Sequence, residues 1–449
     1  MTGSDLSLDL DGGLARGGVA GDPVAALYRR VAWRIAPFLC LGFLAAYVDR
    51  VNVGFAKLRM ASDLGLGEAA YGLGAGLFFI GYVLCEVPSN ILLQRVGARF
   101  WLARIMLTWG LLSGAMCLVH TPMSFYVLRL LLGVAEAGFM PGALLYLSQW
   151  FPPDRRARVT ALFMVGIPLS SVLGAPLSGF ILAHASGVGG IAGWRWLFAI
   201  EALPPILLGL WALLFLPDSI ERSQWLSGAE RHFLRGRLQD AHDDHAASQL
   251  WAAFRDIRVW HLGLIDGSVL LGLYTVAFWF PSFLKGHGIG NPMTIGWITI
   301  VPHLVAVCCM ILNGWHSDRS GERRLHIVLP IVTGAALLAC STLAEGSLIL
   351  SVTLIALANG AILGALPPFW CIPANFLTGP AAAAGLAIAC SFANLAGFFA
   401  TALIGWTIER THSPDLALDV FALAMACAAL SLFLIPRSVV DRGGKRPTA

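Results

Sequence analysis

Residues 40–55 read CLGFLAAYVDRVNVGF and residues 125–140 read FYVLRLLLGVAEAGFM. Each stretch is apolar enough to dissolve in lipid, yet the first carries Asp49 and Arg50 and the second carries Arg129 and Glu136. A spanning helix needs roughly 20 apolar residues to cross a hydrocarbon core of about 30 Å, and the sequence around both stretches supplies that length. A charge at mid-membrane costs about 3 kcal/mol on insertion scales. Four such charges point to a transport pathway for something charged.

Outward from these stretches the chain is 57% apolar and 12% charged, far from the balance of a soluble globular domain. Twelve stretches reach spanning length, the first Trp33–Phe55, the fifth Val159–Ala183 and the twelfth Asp415–Ile435. Backbone amides need internal partners in lipid, so all should be helical. The fold expected is an all-α membrane protein of twelve transmembrane helices in two six-helix halves. The bounds read as a disordered tail over 1–30, bundles over 31–217 and 258–436, a charged linker over 218–257 and a second tail over 437–449.

Lys and Arg set the orientation. Outside the spans, Lys57, Arg59, Arg195, Lys285 and Arg410 alone fall on one side, and every other basic residue falls on the side of the termini. Both termini are therefore expected in the cytoplasm, with the protein multi-pass in the inner (plasma) membrane. The Gly- and Asp-rich start lacks the basic opening and apolar middle of a secretory signal, so the first helix reads as the targeting element. All nine cysteines fall within the spans, where small packing residues are expected rather than disulfides or a zinc site. In the linker, GAERHFLRGRLQD suggests a short amphipathic helix, and the His and Asp residues near His232, His242 and His245 match no metal-site spacing. No nucleotide loop, nucleophile triad or metal motif is present, so neither an enzyme nor a cofactor is expected, and nothing suggests nucleic acid.

QRVGARF (94–100) follows the second span and SDRSGERR (317–324) follows the eighth, each of the form acid or amide, Arg, x, Gly, x, Arg. Related basic loops at matching places in two halves suggest an internal repeat. With GWHSDRSG from Gly314, this arrangement resembles the major facilitator superfamily. Longer strings, YVDRVNVGFA from Tyr47, GYVLCEVPSNILLQRVGARFWLARIM from Gly81, RLLLGVAEAGFMPGALLYLSQWFPPDRRAR from Arg129, GWRWLFAIEALPP from Gly193 and FWFPSFLK from Phe278, are similar to the anion:cation symporter family. Within it they resemble the branch of tartrate, phthalate, nicotinate and hydroxyphenylacetate permeases.

That resemblance implies import of a small organic anion with protons or sodium. It implies protonation at Asp49 and Glu136, and substrate binding and coupling at Arg50 and Arg129. Tyr47, Tyr82, Trp370 and Asn394 match positions that complete substrate sites in sugar-acid members; helix packing is the alternative for a lone Trp or Asn in a span. Arg95, Arg99, Asp318 and Arg319 would form the cytoplasmic gate. The first loop departs from the superfamily pattern, with Gln94 for Asp and Asn90 for Gly; Glu86 is either a substitute gate carboxylate or a helix-end residue facing water.

At 1.5 Å per residue, Asp49 lies ~21–24 Å up its span and Arg129 ~9 Å down from the opposite end, which puts them level. Glu136 falls two turns beyond Arg129 on the same face, ~10 Å deeper. The four groups can line one path, in which an anion engaging an Arg favours protonation of an acid, and a guanidinium fork suits a carboxylate better than a Lys does. The alternative is that the charges brace helices as static pairs. For His303, Asp266 and Glu201, bracing or contact with water stands beside a functional role.

The fifth span, FMVGIPLSSVLGAPLSG from Phe163, is rich in small residues and Pro, which permits close approach and bending. It loosely resembles the Gly-Pro motif of proton-driven antiporters, which keeps an efflux reading open, and Met164 or Ile167 on a cavity wall would favour a less hydroxylated acid. The expected partners are a small organic anion, protons or sodium, and the lipid bilayer, for a monomer working by alternating access.

Overall fold

The computed structural model describes residues 23–152, 166–239, 254–344, 346–372 and 380–440. Among these, twelve helices are long and apolar enough to cross a bilayer. They are α1 (Pro23–Leu64), α2 (Glu68–Leu93), α3 (Ala98–Leu118), α4 (Pro122–Ser148), α5 (Gly166–His184), α6 (Gly193–Phe215), α7 (Ile257–Gly286), α8 (Pro292–Ser320), α9 (Arg324–Thr342), α10 (Leu348–Phe369), α11 (Ile388–Thr411) and α12 (Asp415–Leu434). No strand occurs among the described residues.

Side chains start several helices. Thr121 and Ser124 form a capping box at α4, and Asp256, Asn291 and Ser347 cap α7, α8 and α10 through their side chains. These caps satisfy amides that lipid headgroups and water would otherwise have to serve.

Helix α1 is longer than its apolar core. It begins at Pro23, so residues 23–30, expected in a disordered tail, are helical. Leu27, Tyr28 and Val31 are buried there while Arg29 and Arg30 are exposed, an amphipathic turn that an apolar-run criterion passes over. The rest of that tail, the start of the expected fifth span including Met164, and His242 and His245 of the linker lie outside the described residues. The linker does contain the expected helix, Gly228–Gln239. It docks on the first six spans through the Arg30–Glu230 ion pair, the buried Leu234, and Trp225, which stacks on Trp150.

The first six and last six spans meet along α1 with α7, α2 with α11, and α5 with α8. At the end where α1 turns into α2, two of these seams are images of one another. A Cβ at Gly405 of α11 would lie 2.4 Å from Glu68 O, and one at Gly72 of α2 would lie 2.4 Å from Thr401 O. On the other seam a Cβ at Gly179 of α5 would lie 2.6 Å from Pro292 O, and one at Gly296 of α8 would lie 2.6 Å from Ala175 O. Glu68 and Gly72 are the first and fifth residues of α2, as Pro292 and Gly296 are of α8. The internal repeat read from the two basic loops thus reappears as a pair of glycine crossings that only bare backbone permits.

The same end is closed by Lys57. Its ammonium lies 2.5 Å from Glu68 Oε2 and 3.9 Å from the ring centroid of Trp279 on α7, and Lys285 donates to Leu58 O at 2.6 Å. A desolvated cation over an indole face contributes about 2 kcal/mol.

Candidate functional site

Helices α2 and α4 touch through glycines at mid-span: a Cβ at Gly133 would stand 1.9 Å from Phe78 O, and one at Gly81 would stand 2.3 Å from Leu130 O. This contact draws Phe78 and Tyr82 up against the α4 charges. Three residues past Gly133, the first segment of α4 ends at Glu136. Ala137 turns out of the helix, Gly138 takes φ +87°, and the helix restarts at Phe139. Only glycine suits position 138, since that φ is left-handed and a Cβ would meet Ser89 Oγ at 2.4 Å. Broken spanning helices commonly mark binding sites in transporters, because the interrupted backbone is tolerated where other groups converge.

Glu136 Oε1 accepts from Arg50 of α1, with Nη2 at 2.6 Å and Nε at 2.7 Å. The Arg50 guanidinium is enclosed by the rings of Tyr47, Phe78 and Tyr82, with centroids 4.8–5.4 Å from Cζ. Its Nη1 donates to the Tyr274 hydroxyl of α7 at 3.1 Å, and that hydroxyl donates to Asn394 Oδ1 of α11 at 3.4 Å. Arg50 is therefore a mid-span charge at which the two sets of six spans meet. Three of the chain's 7 tyrosines surround it.

Asp49 points elsewhere, as adjacent helical residues must. Its Oδ1 accepts from Ser113 Oγ of α3 and from Asn52 Nδ2 at 3.2 Å. Arg129 is within electrostatic reach of Asp49, donates to Ala75 O at 3.2 Å and lies over the Phe78 ring. Its Nε and Nη1 have no hydrogen-bond partner. The four charges are thus hydrogen-bonded in two groups, Arg50 with Glu136 at the seam and Asp49 with Ser113 and Asn52 inside the first six spans, with Arg129 within electrostatic reach of both acids. All four are buried.

Of the other residues singled out, Tyr47, Tyr82 and Asn394 join the Arg50 group, and Trp370 lies half-buried at the end of α10 against Phe369. Glu86 does not face water; it is buried and accepts from Ser391 Oγ of α11. Asp266 is buried with Oδ1 unpartnered, so it does not meet water either. His303 bonds Thr299 O at 2.9 Å, while Pro302 O is taken by Asn359 Nδ2.

The gate residues pair within their own sets of spans. Arg99 donates to Leu213 O and lies 3.8 Å from Asp218, Asp318 pairs with Arg323 at 2.5 Å, Arg319 stands over the Trp315 ring, and Arg95 is exposed. A surface pocket of about 400 Å³ lies near this end, between the α2–α3 turn and the linker helix, lined by Leu93, Gly97, Asp218 and Arg235 among others. It is remote from Arg50. The nine cysteines form no disulfide.

Tyr274, Phe78, Asn52 and Ser113 were not read from the sequence as site residues. Tyr274 left a trace: it is the only tyrosine of the last six spans and stands four residues before FWFPSFLK.

A sequence profile of the Major Facilitator Superfamily matches residues 39–401. The chain belongs to this family of membrane transporters. It is 49% identical over 424 residues to the "Putative metabolite transport protein NicT" of Pseudomonas putida, covering 93% of this chain and 96% of that one. It is 45% identical over 428 residues to a "Putative tartrate transporter" of Agrobacterium vitis, covering 94% of each. It is also 37% identical over 413 residues to a "Quinolone resistance transporter" of Acinetobacter baumannii, covering 91% of this chain and 94% of that one. Among solved structures, a bacterial homologue of the human lysosomal transporter Spinster superposes with a TM-score of 0.71 at 17% identity, over 93% of this chain and 99% of that one. The likeness to the tartrate and nicotinate permease branch read from the long motifs agrees with these relatives, and the superposition agrees with the twelve-helix fold.

Proposed function

We propose that the chain imports a small organic anion, a carboxylate, in symport with protons by alternating access of its two six-helix halves. One observation carries this reading: the buried Arg50–Glu136 pair lies where the halves meet, with a hydroxyl of the other half on the same guanidinium. A carboxylate entering between the halves takes up Arg50 donors that now serve Glu136 and Tyr274. Glu136 is then a buried anion without its counter-charge, which costs several kcal/mol, and a proton on it restores neutrality. Substrate and proton become mutually required.

In this reading Asp49 is the second protonation site, and Arg129, with two free donors, steadies the charge on the substrate or on Asp49. Tyr47, Tyr82 and Asn394 line the path, with Trp370 at its edge. With both termini in the cytoplasm, as the count of basic residues suggests, the glycine crossings close the outer end, and the inner gate forms when Arg95 and Arg99 approach Asp318 and Arg319. Thermal-shift measurements on the purified protein with tartrate, sugar acids, phthalate, nicotinate and hydroxyphenylacetate, followed by uptake of the stabilising acid into proteoliposomes under an inward proton gradient, test the reading. No stabilisation by any acid and no gradient-driven uptake would contradict it.

The alternative is a proton-driven efflux antiporter, favoured by the relative named for quinolone resistance. It makes the opposite demand: an outward-directed drug flux that consumes the proton gradient, with no uptake of a carboxylate.

A further inference from the structure

Glu201 is one of four acids buried inside the first six spans, with Asp49, Glu86 and Glu136, and neither group above uses it. It is 3% exposed and stands on α6 just before Pro204 and Pro205. Those prolines supply no amide hydrogen, so the carbonyls of Ile200 and Glu201 lose their helical partners. An ionised carboxylate beside carbonyls that have lost these i+4 donors is in a poor electrostatic setting, and among the described residues no cation pairs with it. Glu136, at the break in α4, is held by Arg50; among the described residues no ion pair reaches Glu201.

What does reach Glu201 is neutral or of like charge. Ser178 Oγ of α5 donates to Oε1 at 2.8 Å, and the amide of Asn52 on α1 lies within electrostatic reach of the carboxyl group. Asn52 Nδ2 donates to Asp49 Oδ1 at 3.2 Å, which sets one amide near both acids, and Asp49 is the charged group within electrostatic reach of Glu201. Three oxygens of this cluster, Glu201 Oε2, Asp49 Oδ2 and Asn52 Oδ1, are buried without any hydrogen-bond partner. Three acceptors with nothing to accept lack a donor, and a buried acceptor left unsatisfied costs about 1–3 kcal/mol. A proton on a carboxyl oxygen supplies the donor and removes the uncompensated charge together.

We propose that Glu201, Asn52 and Asp49 form a proton-binding site inside the first six spans, separate from the Arg50–Glu136 pair, with the resting proton on Glu201. Transfer to Asp49 breaks the O–H bond at Glu201 Oε2 and forms one at Asp49 Oδ2. The negative charge passes from Asp49 to Glu201 and the total is unchanged. Arg129 then loses its nearest counter-charge and attracts the substrate carboxylate. Occupancy of the site stands on its own geometry, whereas its part in transport rests on the proton-coupled reading above.

Infrared difference spectroscopy on the purified full chain at neutral pH tests occupancy. Glu201→Gln should remove a protonated-carboxyl carbonyl band that shifts in heavy water, and Ser178→Ala, which removes the hydrogen bond to Oε1, should move the same band. An unchanged band in both variants would overturn the proposal. In proteoliposomes with tartrate as probe and a gradient of about one pH unit, loss of one coupled proton lowers the accumulation ratio about tenfold in Glu201→Gln. Accumulation equal to that of the parent chain would remove Glu201 from coupling. Absence of gradient-driven uptake by the parent chain of tartrate and of every other acid in the thermal-shift set would count against the proposed function and leave the infrared result standing.

Discussion

Arg50 and Glu136 form a buried ion pair with Nη2 and Nε 2.6 and 2.7 Å from one carboxylate oxygen, Oε1, while Glu136 Oε2 is left without a partner. The pair is thus neutral overall but incompletely bonded, a state that a ligand or a proton can readily change. Removing one member of such a pair leaves the other buried alone, at about 3–5 kcal/mol. Arg50→Ala should therefore lower thermal stability by that order. Arg50→Lys, which keeps the charge but loses the planar fork, should spare most of the stability and weaken carboxylate binding at least tenfold, about 1.5 kcal/mol or more. Thermal unfolding and calorimetric titration separate the two effects.

Tyr274 connects Arg50 to Asn394 across the seam. A neutral hydrogen bond contributes about 0.5–1.5 kcal/mol net, so Tyr274→Phe should weaken substrate binding by roughly two- to tenfold with little change in melting temperature. An unchanged dissociation constant would take Tyr274 out of the site.

The glycine crossings predict a bias in the conformational cycle. Gly405→Val and Gly179→Val each force side-chain atoms into a facing carbonyl, an overpacking cost of about 1–3 kcal/mol that falls only on the state in which these seams are closed. Both variants should fold, transport poorly, and raise the maleimide labelling of a Leu58→Cys probe beside Lys285 above the background of the native cysteines. Labelling as low as in the parent chain would show that the seams do not govern closure.

At the base of α7, outside the membrane span, Asp256 accepts from Arg258 N at 2.9 Å and pairs with its guanidinium at 2.8 Å. The Arg258 hydrogen bond holds the Asp256 carboxyl below the usual range. A depressed folded-state value means the stabilisation is fully present above about pH 4, the ordinary Asp range, and is lost as pH falls through the folded value. Asp256→Ala should cost about 1 kcal/mol at neutral pH, as for other helix caps. The difference from the parent chain should shrink on acidification, which melting curves across pH would show.

Much of the architecture could be read from the sequence because lipid leaves a long apolar stretch few options besides a helix. The buried charges were equally visible, since a charge in such a stretch stands out. Their partners were not. Rise per residue placed Asp49 level with Arg129 but could not give the rotation of α1 against α4, which hands Glu136 to Arg50 and turns Asp49 toward Ser113. The break at Gly138 was not read either, although the two-turn spacing from Arg129 to Glu136 holds because both lie in the segment Pro122–Glu136 that precedes it. Tyr274 was missed because an aromatic residue in a span reads as packing until a charge from another helix meets it. The basic loops carried the repeat, yet Arg99 and Asp318 pair within their own halves, a choice that depends on conformation rather than composition.

The coupling assigned to Glu136 can be tested directly in proteoliposomes by comparing the parent chain with Glu136→Gln for two fluxes of the acid identified by thermal shift. The parent chain should accumulate it when an inward proton gradient is imposed. Glu136→Gln should lose that accumulation while still exchanging labelled for unlabelled acid. Accumulation by Glu136→Gln equal to the parent's would contradict the proposed coupling of substrate and proton through the Arg50–Glu136 pair.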